Sequence, residues 1–396
     1  MCIRDRLKAL LSASERYAQA RGDDLVAMGI TSEHVSFDWG KMQAWKQSVV
    51  QRLSEGVRRL LVSNGVECVH GTGWFINEQE VRVEGEHGSL RFKFDACIIA
   101  TGAEAAPVDG LAYDGKTVLT PEQALAVPEL PANLSIAGDD YIALELATLF
   151  ARLGVKTKLY APGPQILAGG DPTALRLVQA GMRKQGIAVS TKTSVTAIAE
   201  RPLIISQGVT PRVAGLHLNA AGIQLAPDGG IQVDTQQRTN QPNIFAIGDC
   251  AGEGDLALAS RAIKQGKVAA EVIAGLRVQF APLVTPLVVH TTPEIALVGS
   301  SAEKAASENG QIVSGRFPLA ANGRALTLGT DNGVAQLVAS EDGTLLGATL
   351  VGPRAGDLIG QLALALEMGA TLTDLSEILY AHPGLGEIVL EAAENA

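Results

Sequence analysis

Apolar residues recur at helical spacing in two long segments near the start of the chain. These segments cover 7–20 and 40–64. The pair Asn64-Gly65, which stops helices, closes the second segment. Short apolar runs with turn residues between them predict strands, at 67–70, 80–84, 90–94 and 97–100. Helices followed by short buried strands predict a protein of the α/β class.

A second unit begins at about Lys116 with the pattern of a βαβ segment. Residues 134–137 form a buried apolar run, and Gly138 follows directly. The next residues have helical spacing as far as Leu153-Gly154, and 155–160 predicts another strand. A strand, a glycine turn and a helix in this order are typical of a dinucleotide-binding domain.

The last part of the chain divides into two further segments. An apolar run at 244–247 predicts a buried strand, and residues 259–275 have the spacing of a helix that packs back on the first unit. From about Pro282 the pattern changes to an antiparallel sheet with helices, which is an α+β arrangement.

Composition narrows the class of protein. The chain has 396 residues, of which 46% are apolar, so it can form two or three domains with sizeable cores. Its net charge of −10 argues against a nucleic-acid partner, and no apolar run of about 18 residues predicts a membrane span. The four cysteines show no paired spacing and no secretory signal is visible, so we expect a cytoplasmic protein without a metal site.

The most informative string is TNQPNIFAIGDC, from Thr239 to Cys250. Its apolar run stops at Gly248-Asp249, where a parallel strand would end. Glycine permits close backbone approach at the end of the sheet where open α/β proteins bind ligands. Asp249 then offers a carboxylate to a hydroxyl-rich ligand.

A second candidate site lies in YAHPGLGE, near the C-terminus. Pro383 restricts the backbone of His382, and Glu387 follows five residues after this histidine. A carboxylate that bonds one ring nitrogen fixes the tautomer and leaves the other nitrogen available as a base.

Together these strings resemble the pyridine nucleotide-disulfide oxidoreductase family, in its dihydrolipoyl dehydrogenase branch, from Leu7 to about Ala393. The resemblance implies FAD and NAD as cofactors, a homodimer, and lipoyl domains of 2-oxoacid dehydrogenase complexes as partners. The implied fold is α/β, with two Rossmann-like nucleotide-binding domains, the first incomplete, and a C-terminal α+β dimerisation domain. The implied boundaries are 1–115 and 242–281 for the FAD domain, 116–241 for the NAD domain and 282–396 for the dimerisation domain.

The resemblance also implies roles for single residues. His382 and Glu387 would be the catalytic acid–base pair, working at the flavin of the other subunit. Lys8 would pair with Glu145 beside the flavin, and Tyr141 would shield the nicotinamide pocket. The remaining residues expected to bind cofactor are Thr101, Gly102, Gly138, Ala143, Gly248, Asp249 and Ala259.

The NAD motif departs from the family pattern. Asp140 stands where the family has glycine, and Ala161 stands where an acid for the ribose hydroxyls is expected. A carboxylate at position 140 suits the helix dipole but repels phosphates. The segment between 195–198 and Gly208 is also short, so we expect a reduced nucleotide domain.

Two further parts of the family pattern, an N-terminal GxGxxG and a C-x-x-x-x-C pair, are not found in this sequence. Cys2 lies six residues before Lys8 instead of four, and MCIRDR looks foreign, so we expect a truncated gene and an inactive chain. Two alternatives stay open. One is a related flavin disulfide reductase or transhydrogenase, and the other is a catalytically dead homologue kept for dimerisation.

Overall fold

The computed structural model describes residues 3–86, 88–252 and 257–396. The first segment contains α1 (Ile3–Ala20), α2 (Asp23–Ala27), α3 (Trp39–Ser63), β1 (Thr72–Asn77), β2 (Glu80–Gly85), β3 (Gly88–Lys93), β4 (Cys97–Ile99) and β5 (Ala103–Ala105). Strands β1, β2 and β3 form an antiparallel sheet. Asp38 begins α3 by accepting a hydrogen bond from the backbone N–H of Lys41, and Asn64 ends it.

The middle segment forms a parallel sheet with helices. Its elements are β6 (Val118–Leu119), α4 (Pro121–Ala124), β7 (Asn133–Ala137), α5 (Tyr141–Arg152), β8 (Lys156–Tyr160), α6 (Pro172–Lys184), β9 (Ala188–Ser190), β10 (Leu203–Ile205) and β11 (Val209–Pro211). The strand order is β6-β10-β7-β8-β9. Helix α5 is buried on most of its surface because it contacts strands on one side and the Leu7, Leu10 and Leu11 face of α1 on another.

Two strand pairs connect these segments. Strand β12 (Ile244–Ala246), which precedes α7 (Ala259–Ile273), lies parallel to β4. Strand β5 pairs antiparallel with β11. Because β4 and β12 run in the same direction, the residues that follow them lie at the same end of the pair.

The C-terminal segment has its own core. It contains β13 (Leu287–Val289), β14 (Ile295–Gly299), α8 (Ala302–Asn309), β15 (Ile312–Pro318), α9 (Gly323–Thr327), β16 (Val334–Ser340), β17 (Leu345–Val351), α10 (Ala355–Glu367), α11 (Leu372–Ser376) and α12 (Glu387–Glu394). The antiparallel strand order is β13-β14-β17-β16-β15, with α10 and α12 packed against the sheet. Asp171, at the start of α6, accepts a hydrogen bond from Gln336 Nε2 at 3.1 Å and ties this unit to the middle segment.

One sequence-based expectation is wrong. Residues 67–70 are exposed and form no strand, and the strand of this region is β1. Val195–Ala197 is a 3-10 helix, and β10 lies between it and Gly208 in the middle of the parallel sheet. Strand β10 has only three residues, all buried, so it is too short to produce a recognisable pattern.

Candidate active site

One cleft of about 640 Å³ opens where β4, β12 and the start of α5 converge. It is lined by six of the residues expected to bind cofactor, namely Thr101, Gly102, Tyr141, Gly248, Asp249 and Ala259. These residues come from three distant parts of the chain, 101–102, 141 and 248–259. Residues of several sequence motifs therefore line one cleft.

The turn after β4 is held rigidly. Thr101 Oγ1 donates a hydrogen bond to the carbonyl of Arg212 at 2.6 Å, and the N–H of Arg212 donates to the carbonyl of Gly102 at 2.8 Å. Gly102 has φ +73°, a conformation that favours glycine. The turn therefore presents backbone to the cleft without a side chain at Gly102.

The turn after β12 places a carboxylate in the cleft. Gly248 has φ +68°, and its N–H donates to Gln265 Oε1 on α7 at 2.7 Å. Asp249 lines the cleft, and its carboxylate accepts no hydrogen bond from the residues that the structure describes. Such a carboxylate is available to accept hydrogen bonds from ligand hydroxyls, which fits the ribityl chain of FAD.

Lys8 and Glu145 form the expected ion pair. The Glu145 side chain is fully buried, while that of Lys8 is 33% exposed. Glu145 Oε1 also accepts the backbone N–H of His290 at 3.0 Å, whereas its Oε2 is buried without a partner within the described ranges. The pair does not line the cleft, but Glu145 lies one helical turn after Tyr141, whose hydroxyl donates to the carbonyl of Ala257 at 3.1 Å.

Gly138 and Ala143 serve the packing of the strand–helix turn. A Cβ atom on Gly138 would lie 2.0 Å from the carbonyl oxygen of Ser206 and 3.0 Å from the Cβ of Ala143. Neither residue lines the cleft. A glycine is therefore required at position 138 by β10, whether or not a nucleotide is bound.

Asp140 begins α5 and turns its side chain inward. Its carboxylate accepts the N–H of Ala143 at 2.7 Å and the hydroxyl of Ser206 at 2.9 Å. Burial raises the pKa of Asp140 to about 6, although the hydrogen bonds from Ala143 and Ser206 act in the opposite direction. The sequence did not indicate Ser206, because it lies 66 residues away.

The end of β8 offers no acid at Ala161, which is fully buried. The nearby carboxylate is Glu200, whose Oε1 accepts hydrogen bonds from Lys158 Nζ and the Tyr160 hydroxyl, each at 3.0 Å. Lys158, the backbone of Glu200 itself and Tyr160 lower the pKa of Glu200 to about 2. This carboxylate is engaged by side chains of β8, and the sequence pattern did not indicate it.

His382 and Glu387 are in contact as expected. His382 Nδ1 lies 2.8 Å from Glu387 Oε1, and Gly384 N–H donates to Glu387 Oε2 at 2.7 Å. The hydrogen bond from Gly384, and then that from His382, lower the pKa of Glu387. The imidazole is 80% exposed and does not line the cleft of its own chain.

A second histidine–glutamate pair was not predicted from the sequence. His290 Nδ1 lies 2.8 Å from Glu294 Oε2, in the stretch between β13 and β14. Both residues lie in the string His-Thr-Thr-Pro-Glu, inside the range 282–396 that the sequence assigns to the dimerisation domain. Their spacing of four residues is the signal that could have revealed the contact.

The described cysteines are poor candidates for redox chemistry. Burial raises the pKa of the Cys97 thiol to about 11, and Cys250 is buried. Cys68 is exposed but does not line the cleft. Cys2, considered from the sequence, lies outside the described residues. Within 3–86, 88–252 and 257–396, no cluster of histidine, cysteine and acidic residues could hold a metal ion, and no helix could cross a membrane.

Comparisons with known proteins identify the family of this chain. Residues 7–266 match the pyridine nucleotide-disulphide oxidoreductase domain, and residues 285–393 match the dimerisation domain of the same family. Dihydrolipoyl dehydrogenase from Bacillus subtilis is 38% identical over 411 residues, which cover 98% of this chain and 86% of the relative. The enzyme of the same name from Geobacillus stearothermophilus is 37% identical over 410 residues, with the same coverage of both chains.

Solved structures share the fold. LpdA from Mycobacterium tuberculosis superposes with a TM-score of 0.89 at 24% identity, covering 98% of this chain and 89% of that one. The HOCl-induced flavoprotein disulfide reductase RclA from Escherichia coli gives 0.86 at 23% identity, covering 100% and 89%. The expected α/β fold with a C-terminal dimerisation domain is confirmed. The chain belongs to the pyridine nucleotide-disulphide oxidoreductase family, whose members use FAD and NAD(H).

Proposed function

We propose that this protein is a dihydrolipoyl dehydrogenase that reoxidises dihydrolipoyl groups with NAD⁺ as the acceptor. Its partners would be the lipoyl domains of 2-oxoacid dehydrogenase complexes. The observation that carries the proposal is the exposed His382 ring, which Glu387 holds by one nitrogen at 2.8 Å. The names of the relatives support the same reaction.

The histidine–glutamate pair suits a dithiol substrate. An ionised Glu387 accepts a hydrogen bond from Nδ1–H of His382, and the lone pair of Nε2 on the exposed ring is then free to take a proton. A thiol has a pKa of about 8.5, and only its thiolate attacks a disulfide. A base placed next to the thiol therefore accelerates the reaction by about 10²–10⁴-fold.

The cleft residues fit FAD, which supplies two-electron transfer between the dithiol and NAD⁺ when it is bound. Asp249 would accept hydrogen bonds from its ribityl hydroxyls, and the glycine turns at Gly102 and Gly248 would admit the ligand close to the backbone. Lys8 would supply a positive charge near the isoalloxazine, held in place by buried Glu145.

The reaction would require a dimer. His382 lies on the C-terminal unit and outside the cleft of its own chain. The match to a dimerisation domain supports a homodimer. In our proposal each subunit contributes His382 to the cleft of the other.

The direct test uses the extended protein, defined as this chain with the family's FAD loop and C-x-x-x-x-C pair joined ahead of Leu7. We expect NADH formation from dihydrolipoamide and NAD⁺, and loss of this activity in His382→Ala. His290→Ala is the matched control, because His290 also contacts a glutamate at 2.8 Å. Turnover of another disulfide by NAD(P)H, with none of dihydrolipoamide, would favour the related reductase or transhydrogenase.

Asp140 and Ala161 favour the second alternative, a dead homologue that only dimerises. This alternative predicts a stable dimer of the extended protein that does not reduce NAD⁺ with dihydrolipoamide. Formation of NADH by the purified dimer separates the two hypotheses.

A further inference from the structure

Asp140 occupies the place in the fold where a dinucleotide phosphate is normally received. It lies between β7 and α5, and it lines the cleft together with Tyr141. The N–H groups of a helix's first turn attract phosphates because they lack intrahelical partners and carry the positive end of the helix dipole. In this chain the Asp140 carboxylate accepts the N–H of Ala143 at 2.7 Å and so satisfies one of these donors.

The carboxylate is held from two directions. Ser206, at the end of β10, donates its hydroxyl to both carboxylate oxygens at 2.9 Å. Ser206 also lines the cleft, so this contact is part of the ligand-facing wall. The Asp140 side chain therefore cannot leave the start of α5 without breaking bonds to Ala143 and Ser206.

The charges around Asp140 do not neutralise it. Asp139, its neighbour in the loop, adds a second negative charge that disfavours ionisation of Asp140. Other charged groups face the cleft from α1, β5, α4, and the ends of β11 and β12, and these are Arg6, Glu104, Glu122, Arg212 and Asp249. Of the two arginines, Arg212 is already paired, with Glu104 at 3.7 Å.

We propose that Asp140 determines nucleotide binding in this chain by coupling it to proton uptake. The pyrophosphate of NAD(H) binds when the Asp140 carboxyl is neutral, and the ionised carboxylate opposes it. This inference rests on the proposed use of NAD⁺ and identifies Asp140 as the residue that limits NAD⁺ binding. A phosphate placed beside an ionised carboxylate suffers like-charge repulsion, which protonation of the carboxyl removes.

The sign of the pH dependence follows. The pKa of Asp140 in the free protein is about 6, and a nearby bound pyrophosphate raises it further. Between this pKa and the higher pKa of the complex, each molecule of NAD⁺ that binds takes up as much as one proton, so the affinity falls by up to roughly tenfold per pH unit. Near neutral pH the chain therefore binds NAD⁺ more weakly than the same chain with a neutral residue at position 140.

The test is calorimetric titration of the 396-residue chain with NAD⁺, since binding needs no redox chemistry. Measurements span about pH 5.5 to about pH 8.5, in buffers of different ionisation enthalpy, which reports proton uptake. We expect uptake of up to about one proton between the pKa of Asp140 in the free protein, about 6, and its higher pKa in the complex. At the alkaline end Asp140→Asn should bind roughly tenfold or more tightly than wild type, and it should lose most of the pH dependence.

Two further variants should shift the pH midpoint of NAD⁺ binding in opposite directions. Ser206→Ala removes a hydrogen bond that favours the ionised form, so the midpoint should move to higher pH. Asp139→Asn, the matched control, should keep the proton uptake and move the midpoint to lower pH. Binding of NAD⁺ with equal pH dependence in wild type and Asp140→Asn would overturn the inference alone. Absence of binding in every variant at every pH would overturn it together with the proposed role of NAD⁺.

Discussion

Lys8 on α1 and Glu145 on α5 form an ion pair across 137 residues of sequence. The same glutamate accepts the backbone N–H of His290, so α1, α5 and the C-terminal unit meet at one buried carboxylate. A buried charge is tolerated only when it is paired and hydrogen-bonded. The pair thus joins the three parts of the molecule next to the proposed flavin site.

Replacing Lys8 should destabilise the folded protein. Lys8→Met leaves Glu145 buried without its cation, and we expect a loss of roughly 2–4 kcal/mol in the free energy of unfolding. The double variant Lys8→Met, Glu145→Gln should recover much of the lost free energy of unfolding. Lys41→Met, which breaks an exposed pair with Asp38, should change stability by less than about 1 kcal/mol. Urea unfolding measures all three, and equal effects of Lys8→Met and Lys41→Met would contradict the assignment.

The 396-residue chain should bind FAD poorly. Asp249 and the Thr101-Gly102 turn are in place, but the family's GxGxxG for the ADP half of FAD is not in this sequence. We expect a purified protein with far less than one flavin per chain. A full complement of flavin with a normal absorption spectrum would show that the cleft holds FAD by other contacts.

In the extended protein Asp249 should become the residue on which FAD retention depends. Asp249→Ala removes hydrogen bonds to the ribityl hydroxyls, and we expect FAD affinity to fall by roughly tenfold or more, as for a loss of about 1–3 kcal/mol. Asp228→Ala, a turn carboxylate outside the cleft, is the control. Equal flavin content in Asp249→Ala and wild type would remove Asp249 from the site.

Asp140 should also affect stability as a function of pH. Its pKa rises from 3.8 to about 6 on folding, so the folded state binds the proton more tightly. The stability gained at low pH is lost as pH rises through about 6, by on the order of 2–3 kcal/mol. Asp140→Asn should not show this loss. Its free energy of unfolding, relative to that of wild type, should therefore increase between pH 4 and pH 8 by roughly that amount. Urea unfolding with parallel pH profiles for both proteins would show that Asp140 does not titrate as described.

The sequence predicted those parts of the site that lie in continuous strings. The Gly248-Asp249 turn and the His382–Glu387 contact follow from local spacing, and both are present in the structure. Contacts between distant segments could not be read in this way. The bonds from Ser206 to Asp140 and the position of β10 depend on how the sheet assembles, and three buried residues give no periodic signal. Residues 67–70 form no strand because all four stay exposed, Val69 among them, so burial of apolar side chains does not stabilise a strand there.

In the proposed reaction His382 takes the proton of the dithiol substrate. Rapid mixing of the extended His382→Ala protein, separately with dihydrolipoamide and with NADH, tests this role, with flavin absorbance as the signal. We expect reduction by dihydrolipoamide to slow by about 10²–10⁴-fold and reduction by NADH to remain close to wild type. Equal loss in both half-reactions would contradict the claim and make His382 a structural residue.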